Sequence, residues 1–238
     1  MKKRFLGLLF IFCVVGCGGG KKEYTLRIFN GLEGVDSTKI LINSVEVISS
    51  IPNLTRSEPI NVKEGDIFEI YNATTDAKIQ SLSISSVNAN TGEPSPTSST
   101  LFFLNDPTTN KVSLIQIEND TTPPEAGRSR LRVFSGSKTH PADLEVYFSL
   151  PNLSLTPEPT SDQATHFDDL DHGGITSDLS FDSGEYRVRV ITLNNLSNVI
   201  FDTGAYTFED GKVYTLVALD DFLGEPASNF LIFEEDVN

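Results

Sequence analysis

Imidazoles and carboxylates crowd together in one stretch of this 238-residue chain, His166-Phe167-Asp168-Asp169-Leu170-Asp171-His172-Gly173-Gly174, which holds two of its three histidines. Imidazole nitrogen with carboxylate oxygen can bind zinc, although structural zinc sites bring several Cys or His ligands. Read as a calcium loop from Asp169, the segment has glycine at the sixth place, Gly174, but Ser180 at the twelfth, where a bidentate glutamate belongs. A solvated acidic loop accounts for the same residues, so His166 and His172 are assigned no metal and no cofactor is expected. The third histidine, His140, stands beside Pro141 and reads as a turn residue. Nucleophilic catalysis needs a serine or cysteine beside a base, and no Gly-x-Ser-x-Gly elbow occurs. Two carboxylates suffice for glycoside hydrolysis, but with 33 acidic residues spacing discriminates nothing. Trp is absent, and the 16 Phe fall mostly at alternating positions, such as Phe29 and Phe208, which suits core packing better than a sugar platform. No catalytic residue is assigned.

The most specific chemistry lies at the N-terminus. Met1 is followed by Lys2, Lys3 and Arg4, then an apolar run from Phe5 to Val15, then Gly16 and Cys17. This is the order of a secretory signal, and the run is too short for the roughly 20 residues of a membrane-spanning helix. Val14-Val15-Gly16-Cys17 resembles the lipobox of bacterial lipoproteins, which implies diacylglycerol on the Cys17 thiol and cleavage just before it. Two or more acyl chains anchor stably where one is marginal, each buried methylene contributing about 0.8 kcal/mol. Cys13, the only other cysteine, would leave with the leader, so no disulfide is expected in the mature chain. Loss of Lys2, Lys3 and Arg4 turns the net charge of −15 into −18, with 15 basic against 33 acidic residues. Such a chain is unsuited to nucleic acid, whose binding rests on Lys and Arg against phosphate. Acidity of this degree is sufficiently explained by solubility.

The elements that must position these residues read as strands. Beyond the tether Gly18-Gly19-Gly20-Lys21-Lys22-Glu23, short apolar alternations are broken by Gly, Pro, Asn, Asp and Ser, with no sustained helical period. Tyr186-Arg187-Val188-Arg189-Val190 alternates as a sheet with one face on a core requires, and so does Val213 to Ala218. The chain also repeats itself. Leu26-Arg27-Ile28-Phe29-Asn30-Gly31 recurs as Leu131-Arg132-Val133-Phe134-Ser135-Gly136, 105 residues on, and Val62-Lys63-Glu64-Gly65-Asp66 as Phe181-Asp182-Ser183-Gly184-Glu185, 119 residues on. Asn105-Asp106 aligns with Asp220-Asp221, and Leu114-Ile115 with Leu231-Ile232. The growth in offset places 14 extra residues in the second copy within Ser154 to Gly174, read as a long loop. Thr121-Thr122-Pro123-Pro124-Glu125-Ala126-Gly127 separates the copies as a stiff linker. The expected organisation is therefore a signal peptide over 1–16, lipidated Cys17 and tether over 17–23, a first repeat over 24–120, a linker over 121–128 and a second repeat over 129–238. Each repeat reads as an antiparallel β-sandwich, with a small barrel as the alternative. The first is expected close to the membrane and the second beyond it.

The second copy resembles the bacterial extracytoplasmic family known as domain of unknown function 4397. Four stretches carry the likeness: Leu131-Arg132-Val133-Phe134, Ala142-Asp143-Leu144-Glu145-Val146-Tyr147, Gly184-Glu185-Tyr186-Arg187-Val188-Arg189-Val190 and Glu209-Asp210-Gly211-Lys212-Val213-Tyr214-Thr215-Leu216-Val217. The insertion within Ser154 to Gly174 departs from the family pattern, and the first copy, Tyr24 to Asp120, matches only through the internal repeat. The resemblance implies tandem immunoglobulin-like β-sandwiches outside the cytoplasm. It implies no activity, since fold does not fix function.

Together these readings predict an all-β chain of two tandem antiparallel immunoglobulin-like β-sandwich domains after a lipoprotein signal peptide. The function expected is a non-enzymatic binding or structural module of the cell envelope, with a protein or glycan partner besides the lipid. The alternatives are a hydrolase of envelope polymers using paired carboxylates or a loop metal, and a spacer with no partner. Gly18 after the lipidated cysteine, rather than aspartate, favours the outer membrane by analogy with enterobacteria.

Overall fold

The computed structural model describes residues 21–84, 98–109, 111–120, 122–137, 144–155, 164–193, 195–219 and 230–235. The expected signal peptide over 1–16, Cys17, His140 and Asp220-Asp221 lie outside them, as do the side chains of His166, Asp168 and Asp169. The described residues form 18 strands and no helix, as the absence of a helical period requires.

The first unit contains β1 (Glu23–Gly31), β2 (Ser37–Ile42), β3 (Val45–Pro52), β4 (Thr55–Arg56), β5 (Ile60–Lys63), β6 (Ile67–Asn72), β7 (Lys78–Ser83), β8 (Ser98–Asn105) and β9 (Val112–Glu118). One sheet runs β4-β1-β8-β9, with β5 also on β1, and the other runs β3-β2-β6-β7. The second unit contains β10 (Arg128–Ser135), β11 (Leu144–Ser149), β12 (Ala164–Leu170), β13 (Leu179–Asp182), β14 (Gly184–Thr192), β15 (Asn195–Asp202), β16 (Tyr206–Phe208), β17 (Val213–Ala218) and β18 (Phe230–Glu234). Its sheets run β13-β10-β17-β18 and β12-β11-β14-β15, with β16 also on β14.

Each unit is thus a two-layer, sandwich-like pair of open sheets. Ile28, Leu101 and Phe103 of one layer meet Ile40, Phe68 and Ile70 of the other in the first unit. Leu131, Val133 and Leu216 meet Val146, Phe148, Val188 and Val190 in the second. The sheets are not purely antiparallel as expected. β1 lies parallel to β8, and β10 parallel to β17. Parallel neighbours need a long crossover, and the other layer of each unit supplies it.

The internal repeat extends to single hydrogen bonds. The Ile28 amide donates to Ser57 Oγ at 2.9 Å, and the Val133 amide to Thr176 Oγ1 at 2.9 Å. The Leu54 amide donates to Asn30 O at 2.7 Å, and the Gly173 amide to Ser135 O at 2.7 Å. A β-carbon on Gly31 would stand 2.7 Å from Leu104 Cδ2, and one on Gly136 would stand 2.7 Å from Leu219 Cδ2. Both glycines keep space for the same leucine. One expected alignment is corrected. Phe102 pairs with Ile115 and Val217 with Leu231, so Ile115, not Leu114, corresponds to Leu231. A one-residue slip sends every side chain to the opposite face.

The two units are packed against each other as well as joined by the linker. Phe29, Phe102 and Leu104 of the first unit form one buried cluster with Phe134, Val217 and Leu219 of the second, and the partly buried Ile115, Ile117, Leu231 and Phe233 pack against it. Five positions of one copy meet the same five of the other, as in an isologous dimer. The Phe102 and Phe134 rings lie 4.3 Å apart between centroids, and Phe29 and Phe233 5.5 Å. Hence β17, expected to bury one face, is buried at every position: Leu216 faces its own core and Val217 faces the seam. At the rim, Arg56 of the first unit stacks over Phe233 at 4.7 Å and donates to Glu235 Oε2 at 3.0 Å and Glu234 O at 2.8 Å. Glu235, 3% exposed, also accepts from Thr215 Oγ1 at 2.8 Å, and Thr215 Oγ1 accepts from Arg132 Nε at 3.0 Å.

Candidate functional site

The segment first suspected of metal chemistry is not a projecting loop. His166 lies in β12, its backbone opposite Tyr147. His172 follows in a turn at the seam between the units, where its Nδ1 lies 2.9 Å from Ser137 O. Nδ1–H donates there, and the buried Nε2 has no hydrogen-bond partner among the described residues. Space is tight beside it, for a β-carbon on Gly173 would stand 2.7 Å from Ile115 Cδ1. The calcium-loop reading fails on geometry. Its twelfth residue, Ser180, belongs to β13 opposite Arg130, and its hydroxyl accepts from Arg128 Nε at 3.1 Å. Among the described residues no three His, Cys, Asp or Glu are placed to share a metal ion.

β12 also relocates the insertion. The β2–β3 connection is the two-residue turn Asn43-Ser44, whereas its counterpart between β11 and β12 runs over 150–163. The expected loop therefore shrinks at its C-terminal side, because Ala164–Leu170 pairs with β11. Residues 156–163 lie outside the described residues.

Beneath the start of this connection is a polar face that sequence reasoning did not single out. On β11, Leu144, Val146 and Phe148 enter the core, leaving Glu145, Tyr147 and Ser149 on the other face. These three are nonetheless buried. Tyr147 stands opposite Arg189, and Ser149 opposite Arg187. Arg189, only 6% exposed, donates through Nη2 to Ser149 Oγ at 2.8 Å and to Leu153 O at 2.9 Å. Arg187 grips Asp202 in a two-pronged ion pair, Nε to Oδ1 at 2.7 Å and Nη2 to Oδ2, while Nη1 points at Pro151 O. Tyr147 donates to Glu145 Oε2 at 3.2 Å. The backbone of residues 151–153 therefore acts as a strap whose carbonyls accept from both guanidinium groups, while the buried Arg189 Nε has no partner among the described residues.

The electrostatics follow from this burial. Desolvation, with the neighbouring charge of Arg187, pushes the Arg189 guanidinium below its ordinary value. Burial pulls the Asp202 carboxyl upward, but hydrogen bonds from Arg187 and the Gly204 amide, with both arginine charges, hold it below its ordinary value. A buried charge persists only where partners replace its water. The paired arginines at alternating positions were visible in the sequence as strand alternation. The burial of Arg189 was not, because it depends on the strap.

Among the described residues, the corresponding face of the first unit has no strap and is partly covered, with Glu69 buried and Lys78 exposed. Lys39 pairs with Asp76 and Lys78 with Glu69, and the two ammonium groups sit 5.4 and 5.9 Å from the Tyr71 ring centroid.

No family model and no curated protein matches this chain. Among solved structures, it is similar to a candidate cell-adhesion protein from Bacteroides uniformis, with 8% identity over 90% of this chain and 97% of that one and a TM-score of 0.26. It is also similar to the tip fimbrial protein Mfa3 from Porphyromonas gingivalis, with 11% identity over 90% and 99% and a TM-score of 0.26. A leucine-rich repeat protein from Bacteroides thetaiotaomicron aligns with 10% identity over 84% of this chain and 26% of that one, at a TM-score of 0.19. Likeness at these scores carries no argument about function.

Proposed function

We propose that this chain is a lipid-anchored, extracytoplasmic and non-enzymatic module of a bacterial envelope, which presents the second sandwich to a protein or glycan partner. The observation that carries the reading is the difference between the copies: the second has a long β11–β12 connection strapped onto a polar sheet face, where the first has a two-residue turn. Recognition segments are commonly loops held on a rigid scaffold. The lipobox resemblance at Cys17 supports the anchor, and Gly18 the outer membrane. The sandwich layers are of the kind an immunoglobulin-like unit needs, and kinship with the domain of unknown function 4397 family belongs to the same proposal.

Protease treatment of intact cells, comparing wild type with Cys17→Ala, tests the placement. Release of the variant from the membrane and loss of the wild-type band on intact cells are expected for a surface module. A Cys17→Ala protein that stays membrane-bound overturns the anchor. Replacing residues 156–162 by a short Gly-Ser link, which keeps the 151–153 strap and β12, tests the recognition role. Saturable cross-linking to envelope components should be lost while the melting temperature is kept. Cross-linking that is unchanged in the variant overturns it.

A further inference from the structure

Five large apolar side chains stand exposed among the described residues, and three of them, Val45, Val47 and Ile67, sit at one end of the first sandwich, 65, 44 and 50% exposed. That end is preformed. Asn43 and Ser44 hold φ of 51° and 66° in the β2–β3 turn, as a tight hairpin requires. Asn43 ties the turn to β6: its amide donates to Ile67 O at 2.8 Å, its Oδ1 accepts from the Ile67 amide at 2.9 Å, and its Nδ2 donates to Asp66 Oδ1 at 2.9 Å.

The chain enters the fold at this same end. The Glu64 amide donates to Lys22 O at 2.8 Å, Glu23 lies opposite Lys63, and Lys21 Nζ is 3.7 Å from where a β-carbon would stand on Gly65. Cys17 is four residues before Lys21, a reach of about 14 Å when fully extended. Acyl chains on Cys17 would hold this end within headgroup distance of the bilayer. The other two exposed apolar residues, Leu193 and Val199, belong to the second unit.

We infer that this end of the first sandwich docks on the bilayer that holds the Cys17 lipid, with Val45, Val47 and Ile67 at the boundary of headgroups and acyl chains. The inference rests on the anchoring reading above and adds a fixed orientation to it. Apolar side chains that leave water at the interface drive the contact. A mature chain of net charge −18, without Lys2, Lys3 and Arg4, is repelled by anionic lipid, so the docking surface is a zwitterionic one, beside the exposed Lys21 and Lys22. Because the two units share a packed seam, orienting the first also orients the polar face of the second.

The test uses the full lipidated chain in phosphatidylcholine–phosphatidylethanolamine vesicles, carrying a nitroxide at Val45→Cys, Ile67→Cys or Val199→Cys. Collision with oxygen relative to a water-soluble nickel chelate should rise several-fold at 45 and 67 on reconstitution and stay unchanged at 199. Labels at 45 and 67 that remain as water-accessible as the one at 199 overturn the docking. Broadening between labels on separate molecules in vesicle-free protein would assign the patch to a second copy and also overturn it. The mass of the Cys17 peptide reads the anchor separately: lipid on Cys17 with labels in water defeats the docking alone, and an unmodified Cys17 defeats both.

Discussion

The two copies agree where the backbone is concerned and diverge on one outward face. Both hold the first strand of the unit by a hydroxyl from the segment just ahead of β5 or β13, Ser57 in one and Thr176 in the other. Both give the same positions to the seam. On the second layer they part: the first leaves Lys78 half open to water and Lys39 and Tyr71 partly covered, whereas the second buries Arg189 under the carbonyl of Leu153. Inner faces and the seam are constrained by packing at crystal-like density. An outer face with a hairpin connection has no such constraint, and there one copy of a duplicated frame can change its chemistry without unfolding.

The seam offers the largest break. Phe134→Ala and its counterpart Phe29→Ala should each cost about 3–5 kcal/mol in chemical denaturation and split a joint transition into two. A cost at only one of them would show that the copies do not share the seam equally. Next in size, Glu235→Gln removes the buried charge facing the part-buried Arg56 and is expected to cost about 2–3 kcal/mol, since that guanidinium loses its counter-ion. The equivalent Asn119→Ala in the first copy loses two neutral hydrogen bonds, one accepted from Thr100 Oγ1 and one donated to Ser98 Oγ, and should cost about 1–2 kcal/mol.

The polar face gives a pH signature. Asp202 has a carboxyl below its ordinary value of 3.8, so its contribution is present above that value and is lost as pH falls through the lower folded value. Asp202→Asn should therefore lower the melting temperature at pH 7, and the gap to wild type should close in strong acid. A gap that persists at pH 2 would mean that the variant acts through packing instead. Ser57→Ala and Thr176→Val are expected to cost about 1 kcal/mol each, as single hydrogen bonds to backbone amides, and unequal costs would separate the copies. Smallest of all, Lys39→Ala on the unstrapped face should change stability by about 0–1 kcal/mol.

Much of the frame was legible from residue order. The alternations at Tyr186 to Val190 and the repeated Leu-Arg-Ile/Val-Phe strand are local signals, and they appear as β14, β1 and β10. The parallel pairing of β1 with β8 was not legible, because it joins segments about seventy residues apart whose own alternation is the same in either direction. His166 and His172 looked like a cluster because they are close in sequence. In the fold one lies in a strand and the other turns into the seam.

Sequence alone determined that this chain would be all-β and duplicated, since strand periodicity and self-similarity are both encoded over a few consecutive residues. Only the tertiary structure decided which buried positions serve a core and which serve the seam. Leu216 and Val217 are neighbours of like chemistry, yet one faces its own sandwich and the other faces the first copy. Adjacent strand residues point to opposite sides, and what waits on each side is set by segments far away in the chain.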